Sequence, residues 1–248
     1  MRALVTGASS GIGMSIAKSL LDLGYEVFVV ARDKEKLERI YQENNKAHII
    51  ACDLGSVDAC CKLYDKLKGK KIDILVNNAG FGDAGKFVDT SLKKEVDMIN
   101  LNVISYHVLM KLFLRDFVKR DRGRILNVAS MAGFMPGPYM ASYYATKSYI
   151  VNLTLAVWEE LKKDKSRVHL SMFCPGPVDT NFNHVANVKF NVPSLSAKEA
   201  AKIAIEGMFQ NKKIIIPSNM KLNYALVKVS PVSLVLAVNS NMQERVDE

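Results

Sequence analysis

The sequence lacks the residue groupings that metal centres and disulfide frameworks need. Its four cysteines contain no Cys-x-x-Cys pair, and they are Cys52, Cys60, Cys61 and Cys174. The four histidines are far apart and show no ligand spacing, and they are His48, His107, His169 and His184. Because a zinc site or a disulfide-stapled domain requires such groupings, we expect neither a metal ion nor a structural disulfide.

A long hydrophobic run and a flexible linker are also missing. The most apolar late stretch, residues 222–238, contains Lys228 and Pro231 and is therefore a poor membrane span. We interpret residues 217–248 as a C-terminal packing segment, and peripheral contact with a membrane surface is the alternative. No Pro/Gly/Ser-rich tract divides the chain, so we expect a single domain over residues 1–248. A strand-like segment starts at Arg2 without room for a signal peptide, which predicts a cytoplasmic location.

Acidic residues are the minority among the charged side chains. The chain has 25 Asp and Glu residues against 34 Lys and Arg residues, and its net charge is +9. This excess indicates an anionic partner: a nucleic acid, a membrane surface, or an acidic cofactor or substrate. The densest lysine clusters, at residues 66–71 and 162–165, fall where predicted helices end. Such placement is typical of solvated helix ends, so we expect no nucleic-acid partner.

Short apolar runs of strand length alternate with helical patterns along the chain. The predicted strands are residues 2–6, 26–30, 47–51, 72–77, 124–128, 168–173 and 213–216. The predicted helices start near Gly11 and continue at residues 34–44, 57–67, 92–120, 142–163 and 197–210. Continuous apolar strands are buried on both faces, as in parallel sheets. The pattern therefore predicts an α/β, single-domain Rossmann fold, with a doubly wound parallel sheet of about seven strands and helices on both faces.

A glycine-rich turn follows the first predicted strand and leads directly into a helix. It reads Thr-Gly-Ala-Ser-Ser-Gly-Ile-Gly over residues 6–13. Glycines allow close approach to a pyrophosphate, and the helix N-terminus offers free N–H groups and partial positive charge. The spacing is Gly-x-x-x-Gly-x-Gly, which differs from the general dinucleotide fingerprint Gly-x-Gly-x-x-Gly.

This spacing resembles the turn of the classical short-chain dehydrogenase/reductase family. Further family elements match in order over residues 2–216: Asp53, Asn77-Asn78-Ala79-Gly80, Asn100, Ser130, Tyr143, Lys147 and the segment at residues 175–180. The resemblance implies a catalytic tetrad of Asn100, Ser130, Tyr143 and Lys147. It implies an NADP (NADPH) site that includes Gly7, Ser9, Ser10, Gly11, Ile12, Gly13, Asp53, Leu54, Asn78, Ala79, Gly80, Tyr143, Lys147, Pro175, Gly176, Val178 and Thr180.

The Tyr-x-x-x-Lys motif alone identifies little, because it occurs three times, as Tyr64/Lys68, Tyr143/Lys147 and Tyr224/Lys228. Such pairs share a helix face and are often ordinary surface contacts. Only the middle pair follows a serine at a strand end and precedes a Pro-Gly-x-x-x-Thr segment. We therefore place catalysis there and expect packing or surface roles for the other two.

The resemblance also implies a role for each member of the tetrad. Tyr143 is the general acid in reduction, Lys147 favours the phenolate and holds the ribose, and Ser130 polarises the substrate oxygen. Asn100 holds a water that completes a proton path. A strand-end serine is otherwise a helix cap, and a helical asparagine is otherwise a local backbone binder.

Arg32 sets the expected cofactor preference. The position where an acidic residue would bind the NAD ribose holds Ala31, and Arg32 follows it. A guanidinium there can pair with the 2′-phosphate of NADP, so we expect NADPH to be preferred. The alternative is a solvated arginine.

Two loops bear on the substrate. Residues 131–140 carry Met131, Phe134, Met135, Pro136, Pro138 and Tyr139, and a lid predicted at residues 181–196 carries Phe182, Phe190, Val192 and Pro193. These side chains favour a bulky hydrophobic ketone or alcohol, such as a steroid or bile acid. A 3-oxoacyl thioester reductase, a small hydroxy-acid dehydrogenase and a non-enzymatic cofactor-binding regulator are the alternatives. The long helices predicted at residues 92–120 and 142–163 resemble those through which family members form homodimers or homotetramers.

Overall fold

Seven parallel strands form one sheet in the computed structural model, which describes residues 1–186, 188–190 and 194–245. The strands are β1 Arg2–Thr6, β2 Glu26–Ala31, β3 Ala47–Ala51, β4 Ile74–Asn77, β5 Gly123–Val128, β6 Val168–Phe173 and β7 Ile214–Ile215. Their order across the sheet is β3-β2-β1-β4-β5-β6-β7. The predicted doubly wound parallel sheet is confirmed, and each predicted strand is present within two residues of its expected bounds.

Alternate residues of each strand pack against helices on opposite faces of the sheet. In β1, Ala3 and Val5 face one apolar cluster, which contains residues of α1, α2 and α8. Leu4 faces the other cluster, which contains residues of α3, α5 and α6. The helices are α1 Gly11–Asp22, α2 Lys34–Tyr41, α3 Val57–Leu67, α4 Leu92–Ile99, α5 Ser105–Lys119, α6 Ala141–Lys163, α7 Phe182–Ala186, α8 Ala197–Phe209, α9 Lys221–Val229 and α10 Val232–Met242.

The single long helix predicted at residues 92–120 is wrong. A π-helical segment, Asn100–Ile104, separates α4 from α5. Two polar side chains in this region bond to backbone groups: Ser105 Oγ donates to Leu101 O at 2.5 Å, and Asn102 bonds to Phe81. Such bonds compete with the regular helical ladder, and wide π turns of this kind are frequent at functional sites.

The C-terminal segment contains two helices that the sequence did not predict. α9 ends at Val229, and α10 begins directly after Ser230 and Pro231, because proline cannot continue the preceding helix. Short strands join other parts of the chain: Val178–Asp179 pairs with Leu195–Ser196, and Val188–Phe190 pairs with Gln243–Arg245. Within the described residues, no helix combines the length and apolarity that crossing a membrane requires.

Candidate active site

A cavity of about 1030 Å³ opens at the carboxyl ends of the central strands. The strand order reverses between β1 and β4, which is where open α/β sheets bind ligands. The loops after β1, β2, β4, β5 and β6 all contribute to its wall. Of the predicted site residues, those in the cavity wall are Gly7, Ser9, Ser10, Gly11, Ile12, Arg32, Leu54, Asn78, Ala79, Gly80, Ser130, Tyr143, Lys147, Pro175, Gly176, Val178 and Thr180.

The turn after β1 has the backbone that a phosphate cradle needs. Gly7 and Gly11 have φ angles of +66° and +53°, which L-residues with a side chain rarely adopt. Gly13 lies inside α1, and a Cβ there would overlap Asn78 Nδ2 and Gly7 O. Gly13 therefore fixes how closely α1 packs against the loop after β4, although it is not part of the cavity wall.

Polar bonds hold the two sides of this crevice together and leave the start of α1 available. Thr6 Oγ1 accepts from the backbone N–H groups of Asn78 at 2.9 Å and Ala79 at 3.1 Å. Asn78 Nδ2 donates to Thr6 O at 3.0 Å. Ser10 occupies the N-cap of α1, but its side chain makes no capping bond. Its hydroxyl and the first N–H groups of α1 can therefore bind an anion.

Tyr143 and Lys147 lie one turn apart near the start of α6, and both side chains are buried. Burial raises the pKa of Tyr143 above the ordinary value for tyrosine, and its hydrogen bond with the Ser130 side chain acts in the opposite direction. The phenol is therefore protonated at neutral pH, as a proton donor must be.

Burial lowers the pKa of Lys147 to about 8, while the neighbouring Cys174 acts in the opposite direction. Lys147 Nζ donates to Val128 O at 3.1 Å and lies 5.8 Å from the Tyr143 ring centre. Tyr106 supports this arrangement, because its hydroxyl donates to the same carbonyl at 3.0 Å and its ring lies 5.4 Å from Nζ. The ammonium is thus held below the tyrosine, with a pKa low enough to titrate in the working range of enzymes.

Ser130 fills the capping role considered for it and lies beside Tyr143, while its catalytic role stays a prediction. Its Oγ accepts from Ala132 N at 3.1 Å and so caps the 3₁₀ turn Met131–Phe134. The same side chain bonds to Tyr143 and lies in the cavity wall. One hydroxyl therefore orders the loop after β5 and is placed beside the proton donor.

Asn100 differs from the nearby Asn102 in its surroundings. Its side chain is partly exposed, whereas Asn102, two residues later, is fully buried. Asn102 Nδ2 donates to Phe81 O at 2.8 Å and to Thr146 Oγ1 at 3.1 Å, and its Oδ1 accepts from Phe81 N at 3.1 Å. A Cβ on Gly80 would lie 2.8 Å from Asn102 Oδ1 and 3.8 Å from Lys147 Nζ. Asn102 thus joins the loop after β4 to α6, and the water-binding role expected of Asn100 stays a prediction.

The adenosine end of the cavity is formed by the ends of β2 and β3. Arg32 is exposed in the wall there, and within the described residues it forms no ion pair. Asp33 instead caps α2, accepting from Lys36 N at 2.9 Å. Asp53 is turned away, since its Oδ1 accepts from Gly55 N at 3.0 Å, and the wall contains its neighbours Cys52 and Leu54. The contact expected between Asp53 and the adenine stays a prediction.

The opposite end of the cavity is mainly apolar, and part of its wall was missed by the sequence analysis. Met131, Met135 and Phe182 lie there as predicted. Val192 and Pro193 lie outside the described residues, and of Phe190 only the backbone is described. Helices α9 and α10 add wall residues that were assigned to simple packing: Asn223, Leu226, Val227, Leu234, Val235, Val238 and Asn239. In the sequence, the sign that these helices line the cavity was the presence of asparagines within the late apolar stretch.

The two other Tyr-x-x-x-Lys pairs have structural surroundings. Tyr64 donates to Asp116 Oδ2 at 2.8 Å, which joins α3 to α5. Tyr224 packs edge-on against Phe134 with ring centres 4.8 Å apart, and Lys228 lies over the same phenylalanine. The choice of Tyr143 from sequence context agrees with these positions.

Proton-transfer groups beside a phosphate-binding turn define a dinucleotide-dependent oxidoreductase, and comparison with known proteins agrees with that class. The profile of the family described as short chain dehydrogenase matches residues 1–191. The chain belongs to the short-chain dehydrogenase/reductase family and is an oxidoreductase.

Three known proteins illustrate the range of similarity. The very-long-chain 3-oxoacyl-CoA reductase of Anas platyrhynchos is 30% identical over 258 aligned residues, covering 98% of this chain and 81% of that protein. A short-chain dehydrogenase from Sphingobium yanoikuyae in complex with NADPH has a TM-score of 0.81 and 26% identity, covering 90% of this chain and 91% of its own. The bulky-bulky ketone specific alcohol dehydrogenase from Comamonas testosteroni has a TM-score of 0.80 and 26% identity, covering 94% and 93%.

Proposed function

We propose that the protein is an NADPH-dependent reductase that interconverts a ketone and a secondary alcohol on a bulky hydrophobic substrate. The observation that carries this proposal is the pairing of the buried Tyr143 with the partly buried Ser130, which bond to each other in the wall of an otherwise largely apolar cavity. A carbonyl oxygen placed against both hydroxyls would receive a proton from one and a hydrogen bond from the other.

The residues present fit a dinucleotide. The glycine turn packs too closely against Asn78 and Ala79 for a Cβ on Gly7, and within the described residues the Ser10 side chain makes no capping bond, so it and the start of α1 offer donors to a pyrophosphate. Lys147 lies where the cradle and the proton donor meet, so it would bond to the nicotinamide ribose. When bound, the nicotinamide supplies the hydride that reduces the carbonyl carbon.

The protein's own residues then supply and restore the proton. Tyr143 donates its phenolic proton to the substrate oxygen, and the Lys147 ammonium and Ser130 stabilise the phenolate that remains. Asn102 holds the loop after β4 against Thr146. This bond fixes the position of Gly80 relative to Lys147. We therefore assign Asn102 as a positioning residue for proton return.

Arg32 supports a preference for NADPH over NADH. Its guanidinium is exposed at the adenosine end of the cavity without an acidic partner among the described residues, and Lys36 lies in the same wall. Asp33 lies in the same wall, but its side chain caps α2, and the two cations suit a 2′-phosphate better than a ribose hydroxyl.

The substrate class is supported by the apolar end of the cavity and by the similarity to the ketone-specific dehydrogenase from Comamonas testosteroni. A second candidate is a long-chain 3-oxoacyl thioester. The name of the similar duck reductase favours it, and the net charge of +9 suits an anionic coenzyme.

A substrate panel tests the proposal. Initial rates of NADPH oxidation are measured with a steroid ketone, a diaryl ketone and a long-chain 3-oxoacyl-CoA, and NADP reduction is measured with 3-hydroxybutyrate. We expect the highest kcat/KM with one of the two bulky ketones. A higher value for the thioester would favour the second candidate, and 3-hydroxybutyrate as the best substrate would contradict both.

A further inference from the structure

Helix α9 exposes an apolar stripe. Leu222, Leu226 and Val229 are spaced i, i+4, i+7, and their exposed fractions are 69%, 52% and 80%. Helix α10 follows directly and exposes Val232, Leu234, Leu236 and Val238, which alternate between two sides of the helix. We call these seven side chains the α9–α10 face. Isolated exposed apolar residues are normal on proteins, but seven of them on two consecutive helices indicate a contact surface.

The sequence that contains these two helices carries charge of one sign up to Glu244. Residues 211–242 contain four lysines, no arginine and no acidic residue. Lys221 and Lys228 are spaced i, i+7 on α9, so they form a line beside the apolar stripe. The Nζ atom of Lys228 lies 5.3 Å from the Phe134 ring centre and 5.8 Å from that of Tyr224, so these two rings hold its ammonium group beside α9. An apolar helix face flanked by lysines is typical of elements that lie in the interface of a membrane.

The same helices form part of the cavity wall. Leu226, Leu234 and Val238 are each about half exposed and also belong to the wall. Asn239 Nδ2 donates to Pro136 O at 2.8 Å, which ties α10 to the loop after β5. The apolar end of the cavity therefore continues into the α9–α10 face.

We propose that the α9–α10 face docks on the surface of a membrane that contains anionic lipids. Anionic headgroups neutralise Lys221 and Lys228 while the apolar stripe enters the acyl boundary. A second copy of the chain fits this face less well, because a two-fold contact would bring the same lysines together without an acid to pair them. Where the proposed reductase function holds, docking also lets a ketone dissolved in the bilayer enter the cavity directly.

Co-sedimentation with vesicles tests the docking. The full chain with NADPH is mixed with vesicles of phosphatidylcholine, or of equal parts phosphatidylcholine and phosphatidylglycerol. We expect binding to the anionic vesicles and little to the neutral ones. The double variant Leu222→Asp/Val229→Asp should bind at least about tenfold more weakly. Lys221→Gln/Lys228→Gln should lower affinity by roughly thirtyfold at low salt.

Matched controls carry the same changes elsewhere on the surface. Leu23 and Val57 are exposed to 58% and 54%, so Leu23→Asp/Val57→Asp adds the same charge, and Lys18→Gln/Lys163→Gln removes the same charge. Both controls should bind nearly like the wild type. Equal losses in test and control variants, or no binding of the wild type to anionic vesicles, would overturn the proposal.

Two further measurements separate the alternatives. Sedimentation velocity of the same variants without lipid tests whether a second copy of the chain covers the α9–α10 face. If it does, Leu222→Asp/Val229→Asp should sediment as a smaller species than the wild type. That result would contradict docking on lipid. NADPH oxidation with a water-soluble ketone should be unchanged in all variants, since none of these residues belongs to the catalytic or binding machinery. Docking with no turnover of any ketone would leave the surface intact and refute the proposed function instead.

Discussion

Burial changes the pKa values of Tyr143 and Lys147 in opposite directions, because it disfavours the charged form of each. The tyrosine stays protonated, and the lysine titrates near a pKa of about 8. The sequence could predict that the two residues share a helix face, since an i, i+4 spacing requires it. It could not predict the protonation of either residue, which depends on residues as distant as Ser130 and Cys174.

A pH profile follows from this pair. With a lysine pKa of about 8, the ammonium is present below that pH and lost above it, so kcat/KM for ketone reduction should fall as pH rises through about 8. Steady-state rates between neutral and alkaline pH measure this limb. Lys147→Arg, whose cation does not titrate in this range, should show no such limb. A wild-type profile that stays flat through the same range would show that Lys147 is not the titrating group.

Replacing Arg32 tests the cofactor preference. Arg32→Ala should raise the Kd for NADPH on the order of tenfold, because one exposed charge-assisted bond to the 2′-phosphate is lost, and should leave NADH nearly unchanged. Fluorescence titration measures both values. Arg39→Ala removes an exposed arginine from α2 outside the cavity wall and should change neither. Equal affinities of the wild type for NADPH and NADH would refute this role.

Asn102 and Asn100 make a second matched pair. Asn102→Ala leaves the N–H and C=O of Phe81 without their buried partners, which costs about 1–3 kcal/mol of unfolding free energy. Asn100→Ala, at a partly exposed position, should stay within about 0.5 kcal/mol. Urea unfolding with turnover measured in parallel distinguishes them. A larger loss of stability and rate in Asn100→Ala would contradict the positioning role proposed for Asn102.

At the scale of elements, the sequence predicted the strands well because a buried parallel strand is a short apolar run that is locally visible. It failed at the junction of α4 and α5. The apolar spacing continues through residues 92–120, and the wide turn at Asn100–Ile104 depends on Phe81, which is distant in sequence. The sequence also yielded no prediction of α9 and α10. Their apolar residues line the cavity or are exposed, so they lack the core-facing pattern of the other helices.

The packing of α1 against the loop after β4 provides an element-scale test. A methyl group at residue 13 would overlap Asn78 Nδ2 and Gly7 O, so Gly13→Ala should cost about 1–3 kcal/mol of unfolding free energy and weaken NADPH binding. Gly69→Ala is the control, since a Cβ there meets nothing within 4 Å. The control should be neutral or slightly stabilising. Thermal unfolding with and without NADPH compares the two, and equal behaviour would contradict the proposed close packing.

At the scale of the whole molecule, the order of the chain's elements allowed the sheet class to be predicted, because alternating strands and helices have few compatible topologies. The order of the elements was not enough to predict the complete cavity. It is completed by α9 and α10, which return to the loop after β5 through the bond from Asn239 to Pro136. A homodimer or homotetramer, the single domain over residues 1–248 and the cytoplasmic location stay predictions.

The central claim is that Tyr143 supplies the proton for ketone reduction in a site that binds NADPH independently of it. Tyr143→Phe tests this claim directly, because it removes one hydroxyl and keeps the ring that packs against Phe182 at 5.2 Å between centres. Turnover of the best ketone and the Kd of NADPH are measured for this variant, with Tyr64→Phe and Tyr224→Phe as controls. We expect turnover to fall by at least about a hundredfold in Tyr143→Phe, with NADPH affinity nearly unchanged and both controls active. Wild-type kcat in Tyr143→Phe would contradict the account.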